Sequence, residues 1–205
     1  MTYIRRLTAA VVVALSMVAL AACGANEARS LLSSIESGRV ILGTKFDQPG
    51  LGVRTPEKTF QGVDTDVSRY VINYIADKKG WAVPEMSWRE TPSSQRETLI
   101  NNGEVDMITA TYSISKSRLN SVDFGGPYLL THQALLVRSG DKIQGLEDMD
   151  AETKLCSVTG STPAQKVKAA LPEVQLQEFD TYSACVEALS RGKVDAMTTD
   201  ATILA

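Results

Sequence analysis

The sequence predicts an α/β protein with mostly parallel sheets, divided into two related lobes. Two observations carry this. Short apolar runs of strand character alternate along the chain with helical stretches that stop at Gly or Pro, the pattern of strand–helix units packed around parallel sheets. A segment also repeats. Leu99–Thr111 (LINNGEVDMITAT) and Ala188–Asp200 (ALSRGKVDAMTTD) align at a constant offset of 89 residues, matching Gly103 with Gly192, Val105 with Val194 and Asp106 with Asp195. The shared grammar of helix, Gly, Val-Asp and strand is that of a duplicated unit.

The elements follow in order. Residues 24–37 read as a short tether ending in a brief helix. Val40–Gly43 is a strand, and Lys45–Gly62 is a loop broken by Pro49, Gly50, Gly52 and Pro56. Val67–Asp77 is a helix with Val67, Tyr70, Val71, Tyr74 and Ile75 on its expected inner stripe. Met86–Arg89 is a strand, Ser93–Asn102 a helix stopped by Gly103, and Val105–Ala110 a strand. The second round has strands at Gln133–Arg138, Lys154–Val158, Val174–Glu178 and Val194–Thr198. Its helices are Pro163–Leu171, ended by Pro172, and Ser183–Arg191, ended by Gly192. In open parallel sheets, ligands sit beyond the carboxyl ends of strands. The repeat makes Thr111 and Asp200 equivalent, each just past such an end, facing one another across a cleft between lobes.

Composition narrows the function. The 205-residue chain has a formal net charge of −3 and no basic stripe, which argues against a nucleic-acid partner. Its one histidine, His132, leaves no material for His-based triads or multi-His metal sites, and no metal or cofactor is expected.

The amino terminus has Arg5 and Arg6, an apolar run, and Leu20-Ala21-Ala22 before Cys23, the layout of a secretory signal. With a Cys at the cut it resembles a bacterial lipoprotein signal, which implies that residues 1–22 are removed and that Cys23 carries the lipid. The alternative is an uncleaved span, but the 16 residues Leu7–Ala22 fall short of the roughly 20 that crossing needs. In an oxidising compartment the remaining pair, Cys156 and Cys185, is predicted to form a disulfide.

Three segments offer binding chemistry. Thr159–Gln165 (TGSTPAQ) follows a strand. Thr162 is the expected N-cap, with Pro163 in the first helical position and Gln165 completing a capping box. Together with Ser161, this puts free N–H groups and hydroxyls where an anion would bind. Thr111–Arg118 (TYSISKSR) supplies Thr111, Ser113 and an arginine able to grip a carboxylate through two parallel bonds. Asp200 offers a carboxylate for an ammonium group. Each has a plainer reading alone: a well-capped helix, a solvated arginine, a helix cap. Together they match the two charges of a free α-amino acid.

The sequence resembles the family 3 periplasmic solute-binding proteins, the receptors of polar amino-acid ABC importers. The resemblance runs from about residue 38 to 205 and rests on GVDTDV (62–67), GEVDMITATYSISKSR (103–118), VDFGGPY (122–128) and GSTPAQK (160–166). GTKFDQPGLG (43–52) and TYSACVEAL (181–189) are similar to the actinobacterial glutamate-binding lipoproteins in particular. The resemblance implies a type II, Venus-flytrap architecture that is incomplete at its carboxyl end, since family members usually run further. Lobe 1 would be residues 38–130, lobe 2 residues 131–205 and the lipidated tether 23–37, with a hinge crossing near Leu130–Gln133. It implies that Arg118 clamps the α-carboxylate with Thr162, and that Asp200, Thr111 and Ser113 hold the α-ammonium. A glutamate side chain would need further donors, for which Lys45, Gln48 and Arg96 are the candidates. The expected protein is a monomeric, membrane-anchored, non-enzymatic receptor on the extracytoplasmic face, delivering glutamate to permease subunits. Aspartate or glutamine remain open as ligands. A dehydratase or a sensor domain on the same fold is the alternative of a different class.

Overall fold

A computed structural model describes residues 28–205. The expected signal and Cys23 lie outside them. The first half comprises α1 (Leu31–Glu36), β1 (Arg39–Thr44), β2 (Asp47–Gln48), β3 (Gly52–Arg54), β4 (Phe60–Gln61), α2 (Val63–Lys79), β5 (Glu85–Glu90), α3 (Arg96–Asn101) and β6 (Met107–Ile108). The second comprises β7 (Gln133–Val137), β8 (Lys154–Val158), α4 (Thr162–Ala170), β9 (Gln175–Phe179), α5 (Tyr182–Ser190), β10 (Ala196–Asp200) and α6 (Ala201–Leu204).

Two sheets organise two lobes. The first is parallel, in the order β5-β1-β6, and the second runs β7-β10-β8-β9. Strands β9, β8 and β10 are parallel to one another, as β5, β1 and β6 are, while β7 is antiparallel to β10 and makes the second sheet mixed. Each sheet has its own core. Ile35, Val40, Leu42, Ile72 and Ala76 pack in the first lobe. In the second, Cys156, Val158, Cys185, Leu189, Val194 and Met197 pack on one face, and Ile143, Leu155, Val167, Val174 and Ala196 on the other. Cys156 and Cys185 are disulfide-bonded, tying β8 to α5.

The repeat has a physical basis. Gly103 and Gly192 both follow a helix end with φ of 64° and 68°, the left-handed backbone that Gly adopts without steric cost. Three residues later, Asp106 and Asp195 do the same work. The Asp106 carboxylate accepts from the Ile41 N–H at 2.7 Å while its own N–H donates to the Ile41 carbonyl at 2.8 Å. Asp195 repeats this with Lys154, at 2.9 and 2.8 Å. Each aspartate pins the incoming strand to its parallel neighbour.

Several elements differ from expectation. The Lys45–Gly62 loop contains a small antiparallel sheet, β2-β3-β4, because Pro49-Gly50 turns the chain back on itself. The expected Val105–Ala110 strand pairs only over Met107–Ile108. Helix α2 is longer than expected and buries a different face. Tyr70 and Tyr74 are 69% and 51% exposed and stack on each other, while Asp64, Thr65, Ser68, Ile72 and Ala76 are buried. Polar side chains win the inner face because each finds a partner there: the Ser68 hydroxyl donates to Thr109 at 2.7 Å, which removes the penalty of burying it.

Candidate functional site

The carboxyl ends of the two sheets converge on a narrow cleft. Ser93, Arg96, Thr111 and Ser113 line it from the first lobe, and Ser161, Thr162, Pro163, Tyr182, Asp200 and Ile203 from the second. Thr111 and Asp200, equivalent in the repeat, thus border one cavity.

Thr111 sits at φ 46°, a left-handed conformation costly for a β-branched residue. The surroundings hold it there. Its N–H donates to the Asp64 carboxylate at 3.0 Å, and its hydroxyl lies 3.0 Å from the Gln48 side-chain oxygen and 2.8 Å from the Ala110 carbonyl. Asp64 is fully buried and also accepts from the Tyr128 hydroxyl at 2.7 Å. Burial raises its pKa against the lowering effect of those two hydrogen bonds and of Lys45 and Arg96.

Arg118 is 5% exposed and reaches across to the other lobe. Its Nη1 donates to the Ser113 carbonyl and the Thr162 hydroxyl, both at 2.8 Å, and its Nη2 to the Gly160 carbonyl at 3.0 Å. The guanidinium also stacks over the Tyr112 ring, with Arg96 over the same ring at 4.1 Å. Glu97 lies 3.4 Å from the Arg118 Nε and partly balances the two cations.

On α4 the cap differs from expectation. Ser161, not Thr162, is the N-cap, accepting from the Ala164 N–H, and no Gln165 capping box forms. The helix therefore starts one residue earlier, with Pro163 in its second position. The shift frees the Thr162 hydroxyl to meet Arg118. Asp200 precedes α6 but makes no side-chain cap, so its carboxylate is left to the cleft. Burial raises its pKa, and the positive charges of Lys166, Arg96 and Arg118 oppose that.

Arg96 lines the cleft, 2% exposed, with Nη1 bonded to the Ala110 carbonyl at 3.0 Å and Nε buried without a partner among the described residues. Lys45 and Gln48 are buried one layer behind. The Lys45 ammonium donates to Ser93 at 2.7 Å, and the Gln48 side-chain nitrogen has no partner among the described residues. Sequence reasoning missed Ser93, Tyr182 and Asp64. Ser93 and Tyr182 follow the carboxyl ends of β5 and β9, so the strand-end rule applied to every strand finds both.

Burial and then the Arg96 charge lower the Lys45 pKa to about 8, against the pull of Asp47 and Asp64. The unfolded chain holds that proton up to the ordinary lysine value of 10.5. From pH 8 to 10.5 the unfolded state therefore binds more protons, and the stability contributed at this position rises with pH. Denaturant titrations should show the wild type gaining about 1–3 kcal/mol on Lys45→Met over that window. A constant difference would mean that Lys45 titrates normally.

Comparison with known proteins gives the family. Residues 40–175 match the bacterial extracellular solute-binding proteins, family 3. The chain belongs to this family. It is 67% identical over 192 residues to the glutamate-binding protein GluB of Corynebacterium efficiens, an alignment that takes in 93% of this chain and 65% of that protein. The chain thus spans about two-thirds of the length of that relative. It is 30% identical over 201 residues to the ABC transporter glutamine-binding protein GlnH of Bacillus subtilis, covering 92% of this chain and 72% of the relative. Among solved structures, an ancestral arginine-binding protein bound to arginine superposes with a TM-score of 0.73 at 28% identity, covering 82% of this chain and 72% of that one. The architecture is that of the type II amino-acid-binding proteins, and the family is extracytoplasmic.

Proposed function

We propose that the protein is a non-enzymatic receptor that binds glutamate and delivers it to the permease subunits of an ABC importer. One observation carries the reading: a cleft between two strand-end walls is lined by the buried Arg96 and by Thr111 on one side and by Thr162 and the uncapped carboxylate of Asp200 on the other, with Arg118, outside the lining, bonded across the lobes to Thr162. In this reading Arg118 and Thr162 take the α-carboxylate, with Ser161 at the same helix start. Asp200, Thr111 and Ser113 take the ammonium. Arg96 takes the side-chain carboxylate, with Lys45 acting through Ser93 and Gln48 through Thr111. The high identity to GluB supports glutamate. The likeness to GlnH favours glutamine as the second reading. His132 is exposed outside the cleft lining, and this reading gives the Asp200 carboxylate to the ammonium group rather than to acid–base work.

The rest follows the same reading: lobe boundaries near residues 130 and 131, a monomer, and attachment to the outer face of the cell membrane through lipidated Cys23. Calorimetry with glutamate, aspartate and glutamine tests the ligand. Glutamate is expected to bind tightest, because two buried cations would otherwise face a neutral amide. Tighter glutamine binding would transfer the assignment, and no heat with any of the three would remove it.

A further inference from the structure

One contact between the lobes lies outside the cleft. Helix α5 begins with the N-cap Thr181, whose hydroxyl accepts from the Ala184 N–H at 3.2 Å. The Ser183 N–H, left without a helical partner, donates to the Asp47 carboxylate at 3.1 Å, and the Ser183 hydroxyl donates to the Asp47 carbonyl at 3.3 Å. Asp47 belongs to β2 of the first lobe and α5 to the second. A carboxylate from one lobe thus caps a helix of the other, where the helix dipole favours negative charge. The receiving end is rigid: the Cys156–Cys185 disulfide fixes the same turn of α5 to β8. Neither Asp47 nor Ser183 lines the cleft.

We infer that the Asp47–Ser183 contact is a ligand-independent clasp that biases the lobes toward closure and so sets the affinity of the cleft without touching its occupant. Opening the lobes returns the Ser183 N–H to water and takes the Asp47 carboxylate away from the helix end. The closed fraction of the empty protein therefore contains the clasp energy, and apparent affinity scales with that fraction. A device of this kind acts equally on every ligand that closes the lobes.

Small-angle scattering of the ligand-free full chain tests the clasp directly. Asp47→Ala is expected to enlarge the radius of gyration relative to wild type, and Asp47→Asn, which keeps an acceptor but no charge, to fall between them. The affinity arm rests on the amino-acid receptor reading. There Asp47→Ala should weaken glutamate and glutamine by the same factor, about three- to tenfold, mostly through faster dissociation. Unchanged scattering in the empty protein overturns the clasp. Unequal factors for the two amino acids overturn it as well, by tying Asp47 to the occupant either directly or through its pull on Lys45. If wild type binds neither amino acid, the receptor reading fails while the scattering comparison still decides the clasp.

Discussion

Replacing Arg118 with Ala is expected to abolish measurable glutamate binding, a loss of about 2–5 kcal/mol for one half of a buried charge-assisted contact. The size follows from burial, since Arg118 is 5% exposed and a carboxylate opposite the vacated position would lose its paired donors. The same side chain also spans the lobes through Gly160 and Thr162, so its loss removes part of the closed-state interface as well. Arg118→Lys separates the two roles. Lysine keeps the charge but not the paired donors, and it should recover only part of the affinity. Calorimetry measures both variants, and thermal melts followed by circular dichroism check the fold. The Arg118 side chain bonds Ser113, Gly160 and Thr162, whereas the hydrophobic cores lie elsewhere, so the cooperative transition should persist. Binding unchanged in Arg118→Ala would refute the assigned role.

Much of this site was legible from residue order. The Gly-x-Val-Asp repeat marks two equivalent strand ends because Asp106 and Asp195 pin their strands identically, and Thr111 and Asp200 follow at the same spacing. Local rules do not reach tertiary partners. The inner face of α2 was misread because apolar periodicity favours Tyr70 and Tyr74, whereas Asp64 and Ser68 are buried by bonds to Thr111, Tyr128 and Thr109, which lie more than 40 positions away. The α4 cap was misplaced by one residue because Ser161 and Thr162 are both good caps. What decides between them is Arg118 taking the Thr162 hydroxyl, a contact 44 residues distant. Lys45 and Gln48 follow a strand end, yet they sit behind the lining because Ser93 and Thr111 cover them.

Gly160 is the second position where a small change should have a large effect. It has φ 75°, and a Cβ there would lie 2.6 Å from the Ser94 Cα and 2.9 Å from the Ser94 N–H nitrogen. These are backbone atoms of the facing lobe and cannot rotate aside. Gly160→Ala should therefore hold the lobes apart and weaken glutamate binding by about tenfold or more, beyond the roughly 1–2 kcal/mol of left-handed strain that the fold itself bears. Gly192→Ala is the matched control. Gly192 has φ 68° and nothing within 4 Å of its would-be Cβ, so alanine there imposes the same strain with no collision. Both variants should lose similar stability in denaturant titrations, and only Gly160→Ala should lose affinity and show an expanded scattering profile with saturating glutamate. Equal affinities in the two would mean that the lobes close without the approach of Gly160 to Ser94, and that binding does not need the tight interface seen here.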